Sequence, residues 1–549
     1  MEGAVQCSAN YTPLTPVSFL ERAANVYGDK VSIIYGADKT TWGETHKRCI
    51  KLASALVHLG ISRGDIVVAF APNIPALLEL HFGVPMAGAI ISALNTKLDT
   101  TMLALLLEQL EAKMIFVYYE FIEVVLEALT MLSKRKGKPP QLVLIVDQYD
   151  QKSSSIVKET PPGSLNYNDL LAMGQADFEI IRPNNECDPI SVNYTSGSTG
   201  VPKGAIYSHR ATYLNSLATI FRIDMRRMPV FLWTVDMFRC NGWCFTWAVA
   251  AIGGTNICLG STLTAKLIFD AIFVHNVTHL CGKPIILNII AESPACDQRK
   301  LPFKVDIIAA GALPTTQVLN KVVELGFNVN HGYGMTEALG PAIVTPWTPE
   351  SQCCSTLDEQ AKTKRREGRH NLMIDGVDVK DPNSMKSIPC DGKTIGEVMF
   401  KGNTMMSGYL KNPKATQEAF KGGWYRTGDI AVRHPGGCIE MKDRAKDIII
   451  SCGGEIVSTI EVEAVLLSHP KVLEAAVVGS NCTNRPCAFV KMKEGCGGAC
   501  EAEEIIEFCG ERLPKYMVPH SVVFGDLPVN STGKIQKFLL REKAKAIGT

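Results

Sequence analysis

The sequence has no uninterrupted apolar run of membrane-spanning length. Its nearest candidate, residues 244–260, is broken by Gly253, Gly254, Thr255 and Asn256, whereas a spanning helix needs about 20 apolar residues in succession. An excess of charge of either sign is also missing. Lys and Arg number 56 against 55 Asp and Glu, so there is no global field to draw in nucleic acid or an anionic membrane. Residues 1–10 lack a secretory apolar core. The 18 cysteines are scattered, and even the cluster Cys482, Cys487, Cys496 and Cys500 lacks paired Cys-x-x-Cys spacing. This argues against a zinc site and for reduced thiols in a cytoplasm-like compartment. The ending Ala546 to Thr549 is not of the Ser-Lys-Leu type. The pairs Lys51-Leu52 and His58-Leu59 superficially resemble another peroxisomal signal but lie inside a helical pattern. The expected location is therefore the cytoplasm, with the peroxisome second. No tandem repeat is visible.

What is present is length and alternation. At 549 residues the chain exceeds what one core holds, so two or more domains are expected. Helical spacing appears at 15–27 (Thr15 as cap, Pro16 in the first turn), 44–59, 75–87, 100–110 and 121–132. Short apolar strands fall at 66–71, 88–94, 114–117 and 142–146. This alternation predicts an α/β fold with a largely parallel sheet covered on both faces. Ligands of such sheets sit beyond the carboxyl ends of the strands.

One stretch occupies such a place. Tyr194 to Gly204 reads Tyr-Thr-Ser-Gly-Ser-Thr-Gly-Val-Pro-Lys-Gly and follows a strand-like run. Gly197, Gly200 and Gly204 permit close backbone approach. Thr195, Ser196, Ser198 and Thr199 offer hydroxyls, and Lys203 a point charge. Small, donor-rich and singly basic is the character of a phosphate cradle, although the usual P-loop spacing does not fit, since Lys203 follows Pro202. Further on, Phe231, Trp233, Phe238, Trp243, Phe245 and Trp247 read equally as core or as the wall of an apolar pocket. Residues 352–369 are polar and locally basic, a solvated loop rather than a nucleic-acid patch.

After a strand at 327–330, His331 to Glu337 reads His-Gly-Tyr-Gly-Met-Thr-Glu. Such a loop suits Tyr333 beside a base, Thr336 on a phosphate and Glu337 on Mg²⁺, which takes a carboxylate plus substrate phosphates. Trp424 to Asp429 brings an aspartate out at a glycine turn, where a carboxylate can accept both ribose hydroxyls. Asp443 to Asp447 is a charged, hinge-like stretch before Ile448, so a boundary is placed between residues 1–443 and 444–549. Near the end, Lys534 sits in a tight Thr-Gly turn.

These segments, in this order, resemble the adenylate-forming superfamily, whose members include acyl-CoA synthetases, 4-coumarate–CoA ligases, luciferases and adenylation domains. The resemblance covers nearly the whole chain. The wording around Leu14 to Pro16, Tyr207 to Arg210 and Cys240 to Trp247 is similar to plant acyl-activating enzymes. It implies a large N-terminal domain with doubly wound sheets and a small mobile C-terminal α+β domain. It also implies ATP, Mg²⁺ and coenzyme A, a small or medium-chain or aromatic carboxylic acid as partner, and no nucleic acid. Oligomeric state stays open. By the same resemblance, Thr195, Ser196, Gly197, Ser198, Thr199, Gly200 and Lys203 hold the pyrophosphate end. His331, Gly332, Tyr333, Gly334, Met335 and Thr336 contact the adenylate, Glu337 binds Mg²⁺ and Asp429 holds the ribose. Arg444 lies near ribose and phosphate, and Lys446 with Asp447 is the hinge. Lys534 stabilises charge at the α-phosphate; Gly453 and Gly454 meet coenzyme A. Arg239 and Trp243 fall at the acid pocket.

Three places depart from the pattern. Where the family has Pro-Met-Phe-His, this chain has Asp236, Met237, Phe238 and Arg239. The arginine can pair with Asp236, bind a second carboxylate of the substrate, or weaken catalysis; a forked, permanently charged group differs from imidazole in each case. The turn Ser451 to Ser458 carries one extra residue and Ile456 for asparagine, and residues 479–486 are shortened.

Overall fold

The computed structural model describes residues 4–135, 137–147, 163–195, 202–226, 228–261, 263–294, 296–311, 316–346, 369–370, 372–435, 439–451, 455–480, 485–493, 495, 502–529 and 535–547. Runs such as Ile66–Phe70 and Met114–Tyr118 are buried at every position. Alternate residues of a strand point to opposite faces, so both faces of their sheet are covered. That sheet has eight strands in the order Gly408–Tyr409, Gly204–Ser208, Pro189–Tyr194, Ile90–Ala93, Ile66–Phe70, Met114–Tyr118, Gln141–Ile145, Leu165–Asn166. From Pro189–Tyr194 to Leu165–Asn166 every pairing is parallel. The hairpin Pro189–Tyr194/Gly204–Ser208 and the short strand Gly408–Tyr409 close one edge antiparallel.

A nine-stranded sheet runs Arg369–His370, Gly340–Pro346, Phe327–Met335, Val305–Ala310, His279–Gly282, Val230–Leu232, Thr255–Cys258, Val31–Tyr35, Asp38–Thr41. Its interior is parallel and its edges antiparallel. The expected parallel arrangement therefore holds for both sheet interiors, where helices connect the strands. It fails for Gly376–Lys380, Ile395–Lys401, Tyr425–Arg433 and Ile439–Arg444, an antiparallel four-stranded sheet. Its strands pair in the order in which they occur along the chain, the meander arrangement of antiparallel sheets, even though the helix Pro413–Ala419 lies in one of the connections.

From Ile449 onward the chain builds separate cores. Val457, Val462, Leu466, Val477 and Val490 form one; Ala476, Val478, Phe489 and Leu540 form another. They surround the sheet Val472–Gly479, Pro486–Met492, Ser521–Phe524 and the helices Thr459–Leu467, Ala502–Gly510 and Lys537–Ile547. The four-stranded sheet is tied to this part through buried Asp443, which accepts from Thr459 N at 2.6 Å and Thr459 Oγ1 at 2.7 Å.

Most expected elements occur within a residue or two of their expected ends. Thr15 lies one residue further out than expected. The first helix is Val17–Tyr27, with Pro16 at its cap and no side-chain capping bond. The Thr15 hydroxyl accepts from Val17 N at 3.3 Å, one residue outside the cap position, and also pairs with the ring of His209 (Oγ1 to Nδ1, 2.8 Å), tying the chain start to the helix His209–Arg222.

Candidate active site

The strand Pro189–Tyr194 turns back into Gly204–Ser208, with the glycine loop between them. Thr195 N donates to the Lys203 carbonyl at 2.9 Å, and Lys203 N donates to Thr195 Oγ1 at 3.3 Å. The neck of the loop is thus closed, while Ser196, Gly197, Ser198, Thr199 and Gly200 lie outside the described residues. The ammonium of Lys203 lies 4.2 Å from the ring centroid of Tyr409, a cation–π contact. The Tyr409 hydroxyl donates to Glu337 Oε1 at 2.6 Å. Burial and the nearby Glu337 hold this phenol well above its ordinary pKa, so it stays a donor. One tyrosine thereby joins the lysine of the glycine loop to the carboxylate expected to bind Mg²⁺.

Glu337 reaches that position because the strand expected to end at residue 330 continues as Phe327–Met335. It pairs parallel with Val305–Ala310 and antiparallel with Gly340–Pro346, shifting register between Tyr333 and Gly334. A side chain at Gly334 would lie 2.0 Å from the Gly340 carbonyl, so only glycine fits there. The chain then enters a short 3-10 turn, Thr336–Ala338. Tyr207 donates to the Thr336 carbonyl at 2.6 Å and Met406 N to the Glu337 carbonyl at 2.9 Å. His331 Nε2 donates to the Gly311 carbonyl at 3.0 Å, and burial lowers its pKa. Gly332 backs onto Pro341, and Met335 is half-buried.

Asp429 was expected at an exposed turn. It lies instead inside the strand Tyr425–Arg433, with its residue 7% exposed, directly across from Arg444. Burial follows from pairing on both sides, with Ile395–Lys401 and Ile439–Arg444. Tyr333 donates to Asp429 Oδ2 at 2.7 Å, and Arg444 Nε stands 3.4 Å from Oδ1. Burial and Asp429 raise the Tyr333 phenol well above its usual range. The carboxylate therefore faces a neutral donor on one oxygen and a guanidinium on the other. Tyr425 is buried beside this set, and burial with the charge of Glu337 holds its phenol well above its ordinary pKa.

The segment around Arg239 and Trp243 takes an unusual path. Cys240, Asn241, Gly242, Trp243 and Cys244 all have positive φ, between 45° and 65°. Left-handed backbone costs about 1–2 kcal/mol per non-glycine residue. A buried amide network opposes that cost. Asn241 Oδ1 accepts from Ser191 Oγ at 2.7 Å and Asn193 Nδ2 at 2.5 Å, and Asn241 N donates to Asn193 Oδ1 at 3.0 Å. The turn carries Trp243, 7% exposed, to the backbone of Gly340, where a side-chain carbon would lie 3.2 Å from Trp243 Cβ. Arg239 Nε donates to Asp236 Oδ2 at 2.8 Å, one of the three roles left open for it. Phe231, Trp233, Phe245 and Trp247 are fully buried core.

The structure brings Thr195, Lys203, Tyr333, Thr336, Glu337, Asp429 and Arg444 into one connected set. Gly453, Gly454 and Lys534 lie outside the described residues. At the expected hinge, Arg541 Nη2 donates to the Lys446 carbonyl at 3.0 Å and bonds the Asp447 carboxylate. Sequence reasoning missed Tyr409, Tyr207 and Asn241. Only Asn241 carried a local signal, an Asn-Gly pair that marks left-handed backbone. Among the described residues no group of three or more His, Cys, Asp and Glu could hold a metal alone. A single carboxylate such as Glu337, completed by phosphate oxygens, fits Mg²⁺. Among the described residues no helix is long and apolar enough to cross a membrane.

Residues 20–410 match the family described as AMP-binding enzyme, and residues 461–534 match the AMP-binding enzyme C-terminal domain. The chain is 45% identical to a probable acyl-activating enzyme 21 of Arabidopsis thaliana, over 100% of this chain and 98% of that protein. It is 44% identical to a peroxisomal butyrate–CoA ligase of the same plant, over 100% and 96%. Among solved structures it is similar to an anthranilate CoA ligase in complex with anthranoyl-AMP, with a TM-score of 0.82 at 22% identity, covering 99% of this chain and 100% of that one.

Proposed function

This chain belongs to the AMP-binding enzyme family, with a large N-terminal and a small C-terminal domain, and from that premise we propose that it is an ATP-dependent carboxylic acid–CoA ligase. The observation that carries the reading is the Lys203–Tyr409–Glu337 contact, in which one tyrosine holds a cation and a carboxylate side by side.

A carboxylate is a poor nucleophile toward an anionic phosphate, so charge must be neutralised and the groups aligned. In the first step an oxygen of the acid bonds to the α-phosphorus of ATP. The bond to the bridging oxygen breaks, and pyrophosphate leaves with that electron pair. Lys203 and the glycine loop hold the departing pyrophosphate, and Asp429 with Tyr333 positions the ribose. Glu337 would hold Mg²⁺, which when bound neutralises phosphate charge. In the second step the sulfur of coenzyme A, having lost its proton, attacks the acyl carbon and AMP leaves. The small domain, from residue 444 on, turns about Lys446 and Asp447 between the steps, withdrawing Lys534 and bringing Gly453 and Gly454 toward coenzyme A. The bond from Arg541 to Asp447 is one this rotation must remake.

The test is direct. Purified protein receives ATP, Mg²⁺ and a panel of short-chain, medium-chain, benzoic, cinnamic and dicarboxylic acids, with pyrophosphate and acyl-CoA measured separately. Both products from at least one acid are expected. Silence in both across the panel overturns the reading, and pyrophosphate release without acyl-CoA points to another acceptor. The butyrate–CoA ligase relative is named as peroxisomal, the second of the two compartments expected above; a fluorescent fusion imaged in plant cells decides between them.

A further inference from the structure

Resting on the ligase reading and its turn about Lys446 and Asp447, we propose that Asp443 and Thr459 form a latch between the two domains, a pair of positioning residues whose bonds divide turnover between adenylation and thiolation.

Placement is the first argument. The large domain holds the chain as far as Ala445, whose N–H donates to the Gly428 carbonyl at 2.9 Å. Asp443 therefore lies before the turning residues, whereas Ser458 and Thr459 lie after them, at the start of the helix Thr459–Leu467. Asp443 Oδ2 accepts from Thr459 N at 2.6 Å and from Thr459 Oγ1 at 2.7 Å. Beside it, Ser458 Oγ donates to the Lys442 carbonyl, and Lys442 Nζ pairs with Glu461 Oε1 at 3.1 Å. A turn about Lys446 and Asp447 parts one side of this seam from the other, so these bonds belong to one domain arrangement only.

Burial and charge are the second argument. Asp443 and Thr459 are both buried. Among the described residues Asp443 makes no ion pair; its oxygens are held by Thr459 and by Arg444 N, which donates to Oδ1 at 2.7 Å. Hydrogen bonds to an ionised group are stronger than neutral ones. A two-state equilibrium shifts by what one state alone gains, so the latch weights one arrangement over the other.

The same hydroxyl also reaches the end of the chain. Thr459 Oγ1 accepts from Lys537 Nζ at 2.7 Å, and Lys537 pairs with Glu463 Oε1 at 2.7 Å. Val529 and Ile535, which flank the stretch holding Lys534, form a bridge, and Gln536 N donates to the Pro528 carbonyl at 2.8 Å. Thr459 thus joins the strand that carries Arg444 to the base of the segment that carries Lys534.

The experiment reads the half-reactions apart. Adenylation is measured as pyrophosphate release with the best acid of the panel, and thiolation as acyl-CoA formed from supplied acyl-adenylate. Wild type is compared with Thr459→Ser, Thr459→Val, Thr459→Pro and Asp443→Asn, each checked by thermal melting. Proline is tolerated at the first position of a helix, so Thr459→Pro removes both donors to Asp443 and leaves the helix in place. The ratio of the two rates should shift by about tenfold or more in Thr459→Pro, the scale of hydrogen bonds to a charged group. Thr459→Val and Asp443→Asn should shift it in the same direction, and Thr459→Ser should keep the wild-type ratio. Equal losses in both half-reactions, or an unchanged ratio in Thr459→Pro, would make the contact scaffold alone and overturn this inference while the ligase reading stands. Failure of wild type to form acyl-CoA from acyl-adenylate removes the second arrangement and the inference with it. Absence of pyrophosphate release from every acid overturns the ligase reading itself.

Discussion

Tyr409 donates its hydroxyl to Glu337 at 2.6 Å while its ring lies under the ammonium of Lys203. The two residues lie 72 positions apart, Tyr409 on the edge of the eight-stranded sheet and Glu337 in the 3-10 turn between two strands of the nine-stranded one. Removing the hydroxyl by Tyr409→Phe keeps the ring for Lys203 and frees Glu337. Loss of a hydrogen bond to a charged group costs about 1.5–3 kcal/mol, so adenylation should slow by about tenfold or more. The loss should appear as a changed Mg²⁺ dependence of pyrophosphate release. An unchanged Mg²⁺ titration would mean that Tyr409 does not position the carboxylate.

Lys534 is assigned only by resemblance, and its role separates the half-reactions. A charge stabiliser of this kind contributes roughly 3–4 kcal/mol to the barrier. Lys534→Ala should therefore cut adenylation by about two to three orders of magnitude while thiolation of supplied acyl-adenylate survives. Equal losses in both half-reactions would remove the assigned role.

The left-handed turn at 240–244 stands on Asn241. Asn241→Ala would leave Ser191 and Asn193 without their buried acceptor, each such group costing about 1–3 kcal/mol. Denaturant unfolding should show a loss in that range. Because the same turn carries Arg239 and Trp243, acid selectivity should loosen too. Loss of stability with unaltered selectivity would show that the turn is scaffold alone.

Burial lowers His81 and His209 to about 4, whereas histidine in an unfolded chain titrates near 6.5. Between those values the unfolded chain binds more protons, so stability is fully present above about 6.5 and is lost as pH falls toward 4. Each ring contributes a slope of about 1.4 kcal/mol per pH unit in that window. Denaturant unfolding from pH 4.5 to 7.5 should show a shallower slope for His209→Gln than for wild type. An identical slope would mean the ring is already charged when folded.

The strands and helices of the eight-stranded sheet's interior were legible from apolar runs and helical spacing, whereas Val31–Tyr35, Val230–Leu232, Thr255–Cys258 and His279–Gly282 of the other sheet were not. Ile66–Phe70 is apolar throughout, and Thr100–Leu110 repeats at helical spacing. The edges were less so. The strand through His331 to Met335 contains two glycines and looks like a loop; pairing on both sides makes it a strand. Asp429 looked exposed beside Gly428 for the same reason.

The sequence by itself determined the α/β class and the chemical inventory of the site, because glycine loops, a lone lysine and spaced carboxylates carry their chemistry in their identity. Tertiary structure alone decided that Tyr409 bridges Lys203 and Glu337 and that Tyr333 rests on Asp429. Those contacts join residues as far apart in the chain as Lys203 and Tyr409, and no local pattern encodes which strand ends the folded sheets bring together.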